Sequence, residues 1–129
     1  MPRLRLVAVA ARLPAWAEEA CAQYAKRMPR GYEVERILVK KEPANLAGCI
    51  ALDERGEDMT TRQFAALLGK ERTFVIGGAD GLSDKVKQEA AQLLRISSLT
   101  LPHALAQVVL LEQIYRAATL LTGHPYHRE

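Results

Sequence analysis

Cysteine is scarce: Cys21 and Cys49 are the only two in 129 residues, and they form no CxxC pair. That excludes a disulfide framework or a cysteine metal cluster and suits a reducing, cytoplasmic compartment. The first apolar stretch, Leu6 to Ala11, is too short for a secretory h-region and is stopped by Arg12, so it reads as a strand. The longest apolar stretch, Ala104 to Thr122, carries Glu112, Gln113 and Arg116 at its middle, which argues against a membrane span. Glycine is missing from the turn after the first strand, Ala10-Ala11-Arg12-Leu13-Pro14, where a dinucleotide fingerprint would need it. Histidine is limited to His103, His124 and His127, with no third ligand close in sequence, so no metal site is expected.

What remains is ordinary globular composition, 49% hydrophobic and 26% charged, and it predicts one domain over residues 1–129. A chain this small has room for one core, so an elaborate site would need a second subunit. The net charge of +3 is uneven. Residues 1–41 hold nine Lys and Arg against four Glu, a balance of +5, which leaves −2 for the remainder. Clustered cations gain free energy by releasing phosphate counterions, so this half is compatible with an RNA partner, and equally with a solvated basic face.

Periodicity and punctuation predict five strands alternating with four helices. Leu4–Val9 reads as the first strand, and Pro14 opens a helix whose Trp16, Ala20, Tyr24 and Met28 would line one face. Strands follow at Glu33–Val39 and Cys49–Asp53. Thr60 and Gln63 have capping-box spacing for a helix that stops at Gly69. Thr73–Ile76 runs into Gly77-Gly78-Ala79-Asp80-Gly81. Ser83 then caps a helix carrying Val86, Ala90, Leu93 and Leu94, and Ile96–Leu101 reads as the fifth strand. Ala104–Thr122 is a long helix ended by Gly123, apolar nearly all round, which suggests cover from its own sheet and from a partner subunit. The alternation predicts an α/β fold with a mostly parallel sheet. Only nine residues, Lys40 to Gly48, join the second and third strands, too few for a helical crossover. Either that pair is differently arranged or a segment is missing.

Chemistry concentrates in the C-terminal half. The glycines after the fourth strand allow close approach of backbone to a ligand, though a tight turn without a ligand fits them as well. Ser97-Ser98-Leu99-Thr100-Leu101-Pro102-His103 could offer backbone groups to a flat ligand, and His103 could equally be the opening residue of a helix, bonded to local backbone.

Four stretches taken in order carry a resemblance: Ile76-Gly77-Gly78-Ala79-Asp80-Gly81-Leu82-Ser83, Leu99-Thr100-Leu101-Pro102-His103, Glu112-Gln113-Ile114-Tyr115-Arg116-Ala117 and Pro125-Tyr126-His127-Arg128. Together they resemble the RlmH family, SPOUT-superfamily methyltransferases that modify ring nitrogen 3 of a pseudouridine in 23S ribosomal RNA. The resemblance implies an S-adenosylmethionine site, a C-terminal trefoil knot and a homodimer acting on the 70S ribosome, with no metal and no membrane. It assigns Leu52, Gly78 and Ser97, Ser98, Leu99, Thr100, Leu101 and Pro102 to the cofactor. It assigns His103, Tyr126, His127 and Arg128 to the substrate end, the tail reaching toward the partner's cofactor. His103 or His127 would be the base and Arg128 its electrostatic partner. Two departures stand out: Gln107 occupies a position where relatives usually have arginine, and the 40–48 connection is short. A catalytically inactive, ribosome-associated RNA-binding dimer of the same fold is the alternative these departures raise.

Overall fold

The computed structural model describes residues 3–10 and 12–126. Among the described residues nine elements follow in chain order: β1 (Leu4–Val9), α1 (Ala15–Arg27), β2 (Val34–Val39), β3 (Ile50–Glu57), α2 (Thr61–Leu67), β4 (Arg72–Ile76), α3 (Asp84–Glu89), β5 (Gln92–Leu94) and α4 (His103–Thr122). The strands form one sheet in the order β2-β1-β4-β3-β5, and each neighbouring pair is parallel. β2 and β3 are therefore not neighbours. The 40–49 connection passes β1 and β4, a lateral distance of about 14 Å at ~4.8 Å per strand. Ten extended residues can reach about 33 Å, so the step is made without a helix.

Alternation along the strands supplies two cores, because side chains two apart share a face. Leu4 and Leu6 of β1, Phe74 and Ile76 of β4 and Ile50 of β3 face α1, α2 and α4. Val7, Val75 and Ala51, one residue out of step, face Val86 of α3 with Leu46 and Cys49 of the 40–49 connection. That connection thus covers the second face where a helix would otherwise lie. α4 is apolar on several sides because the sheet, α1 and α2 all pack on it. Leu110, Leu111 and Ile114 are fully buried, while Leu105, Val108 and Val109 are only half-buried. By length and composition α4 could cross a membrane, yet it is the central helix of this core.

Local signals act as the chemistry of helix ends requires. Thr60 and Gln63 form the reciprocal capping box, with bonds of 3.1 and 2.9 Å. The Ser83 hydroxyl accepts from Val86 N at 3.2 Å, and Gly123 closes α4 with φ 77°.

Three expectations are corrected. The buried side of α1 is Ala17, Cys21 and Met28, with Tyr24 half-buried, and Trp16 points outward at 54% exposure. A strict four-residue repeat drifts around a 3.6-residue helix, so the contact stripe alternates four and three. The fifth strand is Gln92–Leu94, and Ile96–Leu101 is a loop. α3 ends at Glu89, which puts Leu93 and Leu94 on a strand. Ala91 N donates to Cys49 O at 2.8 Å and Arg95 N to Glu57 O at 2.9 Å, drawing this segment onto β3 before residue 96. The Ser97 hydroxyl then accepts from Leu99 N at 2.9 Å, a local turn that competes with a ladder.

Candidate active site

In a parallel sheet, loops leaving the carboxyl ends of the strands converge on one edge and form the usual ligand crevice. Here β3 itself and the loops after β4 and β5 enclose a cavity of about 560 Å³. Its walls are Leu52 to Glu54, Ile76 to Leu82 and Leu94 to His103, with Ser98 outside the lining, closed by Lys87 and Ala106. Seven of the eight residues assigned to the cofactor, Leu52, Gly78, Ser97, Leu99, Thr100, Leu101 and Pro102, meet there, and His103 joins them.

The glycine loop is tightly folded. Gly78 and Gly81 form an isolated antiparallel bridge, with Gly81 N donating to Gly78 O at 2.9 Å, and Gly81 takes φ 75°. A Cβ on Gly77 would stand 2.5 Å from Gly81 C, and one on Gly78 would stand 2.7 Å from Val9 O. At Gly78 the loop runs against the end of β1 and leaves no room for a Cβ on that side.

His103 is the first residue of α4, and both ring nitrogens have partners. Nδ1 lies 2.7 Å from Gly77 O, and Nε2 lies 2.8 Å from Gln107 Nε2. Gln107 is 2% exposed.

Charge at the cavity is arranged in pairs. Asp53 lies 3.2 Å from Lys87 Nζ, and its carboxyl is held below the usual range first by the Arg55 backbone N–H, at 2.9 Å, and then by Lys87. Arg95 is tied to Asp58, with one bond of 2.8 Å from Nε, and this raises the Arg95 pKa. Among the described residues no group of three or more His, Cys, Asp or Glu is placed to hold a metal.

Tyr126 lies elsewhere. Its hydroxyl donates to Glu112 Oε2 at 3.0 Å, its ring packs on Tyr115 at 4.5 Å between centroids, and the Arg116 guanidinium sits 5.1 Å from its centre. Arg116 also donates to Glu112 at 2.7 Å. Burial and then the Glu112 carboxylate push the Tyr126 phenol up to about 12. Glu112 is nine residues beyond His103, about 14 Å along the helix at 1.5 Å per residue. Within one chain, then, Tyr126 and the cavity are not brought together. His127 and Arg128 lie outside the described residues. The Glu112-to-Ala117 motif holds the base of the tail through Glu112, Tyr115 and Arg116, a role that its helical spacing alone did not reveal.

A parallel sheet covered on both faces, with a glycine loop and a Pro-His helix start at its carboxyl edge, defines a class. Residues 33–127 match the family model described as "Predicted SPOUT methyltransferase". Two solved structures share the fold at low sequence identity. A candidate RNA methyltransferase of Bacillus anthracis is 15% identical with TM-score 0.59, over 97% of this chain and 98% of that one. A candidate methylase-family protein of Haemophilus influenzae Rd KW20 is 12% identical with TM-score 0.63, over 99% of this chain and 71% of that one. Curated relatives narrow the class. Proteins named ribosomal RNA large subunit methyltransferase H from Polynucleobacter asymbioticus and Methylibium petroleiphilum are 46% and 44% identical, each over 98% of this chain and 99% of its own length. The one from Neisseria meningitidis is 40% identical with the same coverage. The chain belongs to the ribosomal RNA large subunit methyltransferase H family. The alignment with the Methylibium protein spans 155 positions against 129 residues here, so at least 26 positions (155 − 129) have no counterpart in this chain. That accords with a segment missing from this chain.

Proposed function

We propose that the protein is a cytoplasmic, metal-independent enzyme that transfers a methyl group from S-adenosylmethionine to ring nitrogen 3 of a pseudouridine in 23S ribosomal RNA. In this reading it works as a homodimer on the 70S ribosome, with a C-terminal trefoil knot framing the cofactor site. The observation that carries the reading is the cavity between the glycine loop and residues 94–103 in a chain of this family. Its 560 Å³ falls within the roughly 300–1,000 Å³ of small-molecule sites.

The donor set suits the cofactor. Leu52, Ile76, Leu94 and Leu101 offer apolar walls to an adenine, and backbone N–H and C=O groups of residues 77–82 and 97–102 offer bonds to its edge. Asp53, Glu54 and Asp80 supply carboxylates for hydroxyls and for positive charge. When bound, S-adenosylmethionine supplies a methyl group made electrophilic by the sulfonium. The chain's own task is to orient the base beside it and to remove a proton from an imide nitrogen that is protonated at neutral pH. His103 and His127 are the candidate acceptors for that proton. Arg128 would stabilise the resulting anion and Tyr126 would offer a stacking face. Since Tyr126 docks on Glu112, about 14 Å along α4 from its own His103, the tail is better placed to serve a partner's cavity than its own. The half-buried Leu105, Val108 and Val109 on α4 are the surface for that partner.

RNA would approach over exposed Arg12, Lys40 and Lys41, at the carboxyl ends of β1 and β2. Gly78 reaches Val9 at that same edge, and Glu42 accepts from Ser83 N at 2.7 Å, tying the Lys40-Lys41 segment to the loop around the cavity. Calorimetric titration with S-adenosylmethionine tests the reading: one site per chain is expected, and no binding by the folded protein would overturn it.

A further inference from the structure

We infer that Gln107 is a positioning residue: it locks His103 in the Nδ1–H tautomer, and so pins the Gly77 carbonyl to the start of α4. The inference deepens the cofactor reading, because Gly77 belongs to the loop that would hold S-adenosylmethionine.

A peptide carbonyl only accepts, so Nδ1, at 2.7 Å from Gly77 O, carries the hydrogen. An amide nitrogen only donates, so Nε2, at 2.8 Å from Gln107 Nε2, presents its lone pair. Both conditions hold together only in a neutral ring protonated on Nδ1. That is the less favoured form in water, so the protein must impose it. Residue 107 is one helical turn on from residue 103, which brings the two side chains together on one face of α4. With Gln107 buried, water cannot easily replace it as the donor.

Most charged groups around the pair are engaged with one another. On the cavity side, Asp53 pairs with Lys87 and Arg95 with Asp58, while the carboxylates of Glu54 and Asp80 also line the wall. On the far side, Gln107 lines a smaller cavity with Glu18 and Arg36, and these two form a bidentate pair at 2.8 and 3.0 Å.

Two consequences follow. The Nε2 lone pair is engaged by the Gln107 amide, so His103 could take up the imide proton only if that bond breaks or the amide turns its oxygen to the ring. And the Gln107 departure loses its force as a sign of inactivity. An amide and a guanidinium both donate N–H, so glutamine retains the donor and removes only the charge.

The test is ring-¹⁵N NMR of the full-length, cofactor-free protein at mildly alkaline pH, with His124 and His127 as internal references. The wild type is expected to show the Nδ1–H pattern at His103. Gln107→Met, of similar length but without a donor, should lose that pattern and bind S-adenosylmethionine two- to tenfold more weakly. Gln107→Arg should keep it. An Nε2–H tautomer or an imidazolium at His103 in the wild type would overturn the inference, as would an unchanged tautomer in folded Gln107→Met. If Gln107→Met does not fold, the wild-type tautomer and the Gln107→Arg spectrum still decide. Because the tautomer is read without cofactor, a correct tautomer in a protein that fails to bind S-adenosylmethionine would fault the cofactor reading and leave the lock standing.

Discussion

Gly77→Ala is the smallest change that should disable the cavity. The new Cβ would lie 2.5 Å from Gly81 C, 2.7 Å from Leu82 N and 2.9 Å from Gly81 O. Carbon contacts are comfortable at about 3.5–4.0 Å, so the two arms of the loop must separate by about 1 Å. The neighbours are backbone atoms held by the Gly78–Gly81 bridge, and no flexible side chain can swing aside. Overpacking of this kind costs about 1–3 kcal/mol. At roughly 3–5 °C per kcal/mol for a domain of this size, differential scanning fluorimetry should read a Tm lower by about 3–15 °C. If the ligand needs the closed loop, binding must recover the same strain, and at about 1.4 kcal/mol per decade the affinity for S-adenosylmethionine should fall about tenfold or more. Gly69→Ala is the control: its Cβ would meet only Ala66 O at 3.6 Å, and both readings should stay at wild type. A Gly77→Ala protein with unchanged Tm and unchanged affinity would refute the reasoning.

Tyr126→Phe keeps the ring on Tyr115 and Arg116 but loses the Glu112 bond, so methylation should fall in a turnover assay while titration shows cofactor affinity intact. Lys40→Ala with Lys41→Ala should weaken ribosome binding and reduce the slope of log affinity against log salt by about 1 for each phosphate no longer neutralised, without altering cofactor binding. Asp53 ionises more readily in the folded chain than its usual 3.8, so its contribution to stability is present above that value and is lost as pH falls through the depressed folded one. Thermal melts of Asp53→Asn should therefore be less stable than wild type near neutrality, with the difference closing in acid.

Much of the fold is legible because its signals are local. Pro14, the Thr60-Gln63 box, the Ser83 cap and Gly123 each act through bonds within one helical turn, and each stands where the sequence places it. The glycine loop is legible too, because β4 runs straight into it. What was hidden depends on contacts distant in sequence. β5 falls on Gln92–Leu94 because Cys49 and Glu57 of the β3 segment supply partners on either side of it, and three residues are too few to announce a strand against the longer, β-branched ISSLTL. The order of strands is hidden likewise, since a helix-free connection of ten residues could join neighbours or pass over two strands. At the site, the backbone lining residues follow from the loops, but the engagement of His103 does not. Its partner Gly77 is 26 residues away, and Gln107 reads as a departure until its amide is seen beside Nε2. Tyr126 shows the same limit: its contacts with Glu112 and Tyr115 require the chain to turn back after Gly123.

The central claim is the transfer of a methyl group to one ring nitrogen of ribosomal RNA. Its most direct test is to incubate the protein with methyl-labelled S-adenosylmethionine and 70S ribosomes that lack the modification, digest the 23S RNA and identify the labelled nucleoside by mass spectrometry. The account predicts a single labelled product, pseudouridine methylated at nitrogen 3, formed more slowly at limiting cofactor when Gly77→Ala replaces the wild type. Label on another nucleoside, or none from a folded protein that binds the cofactor, would contradict it.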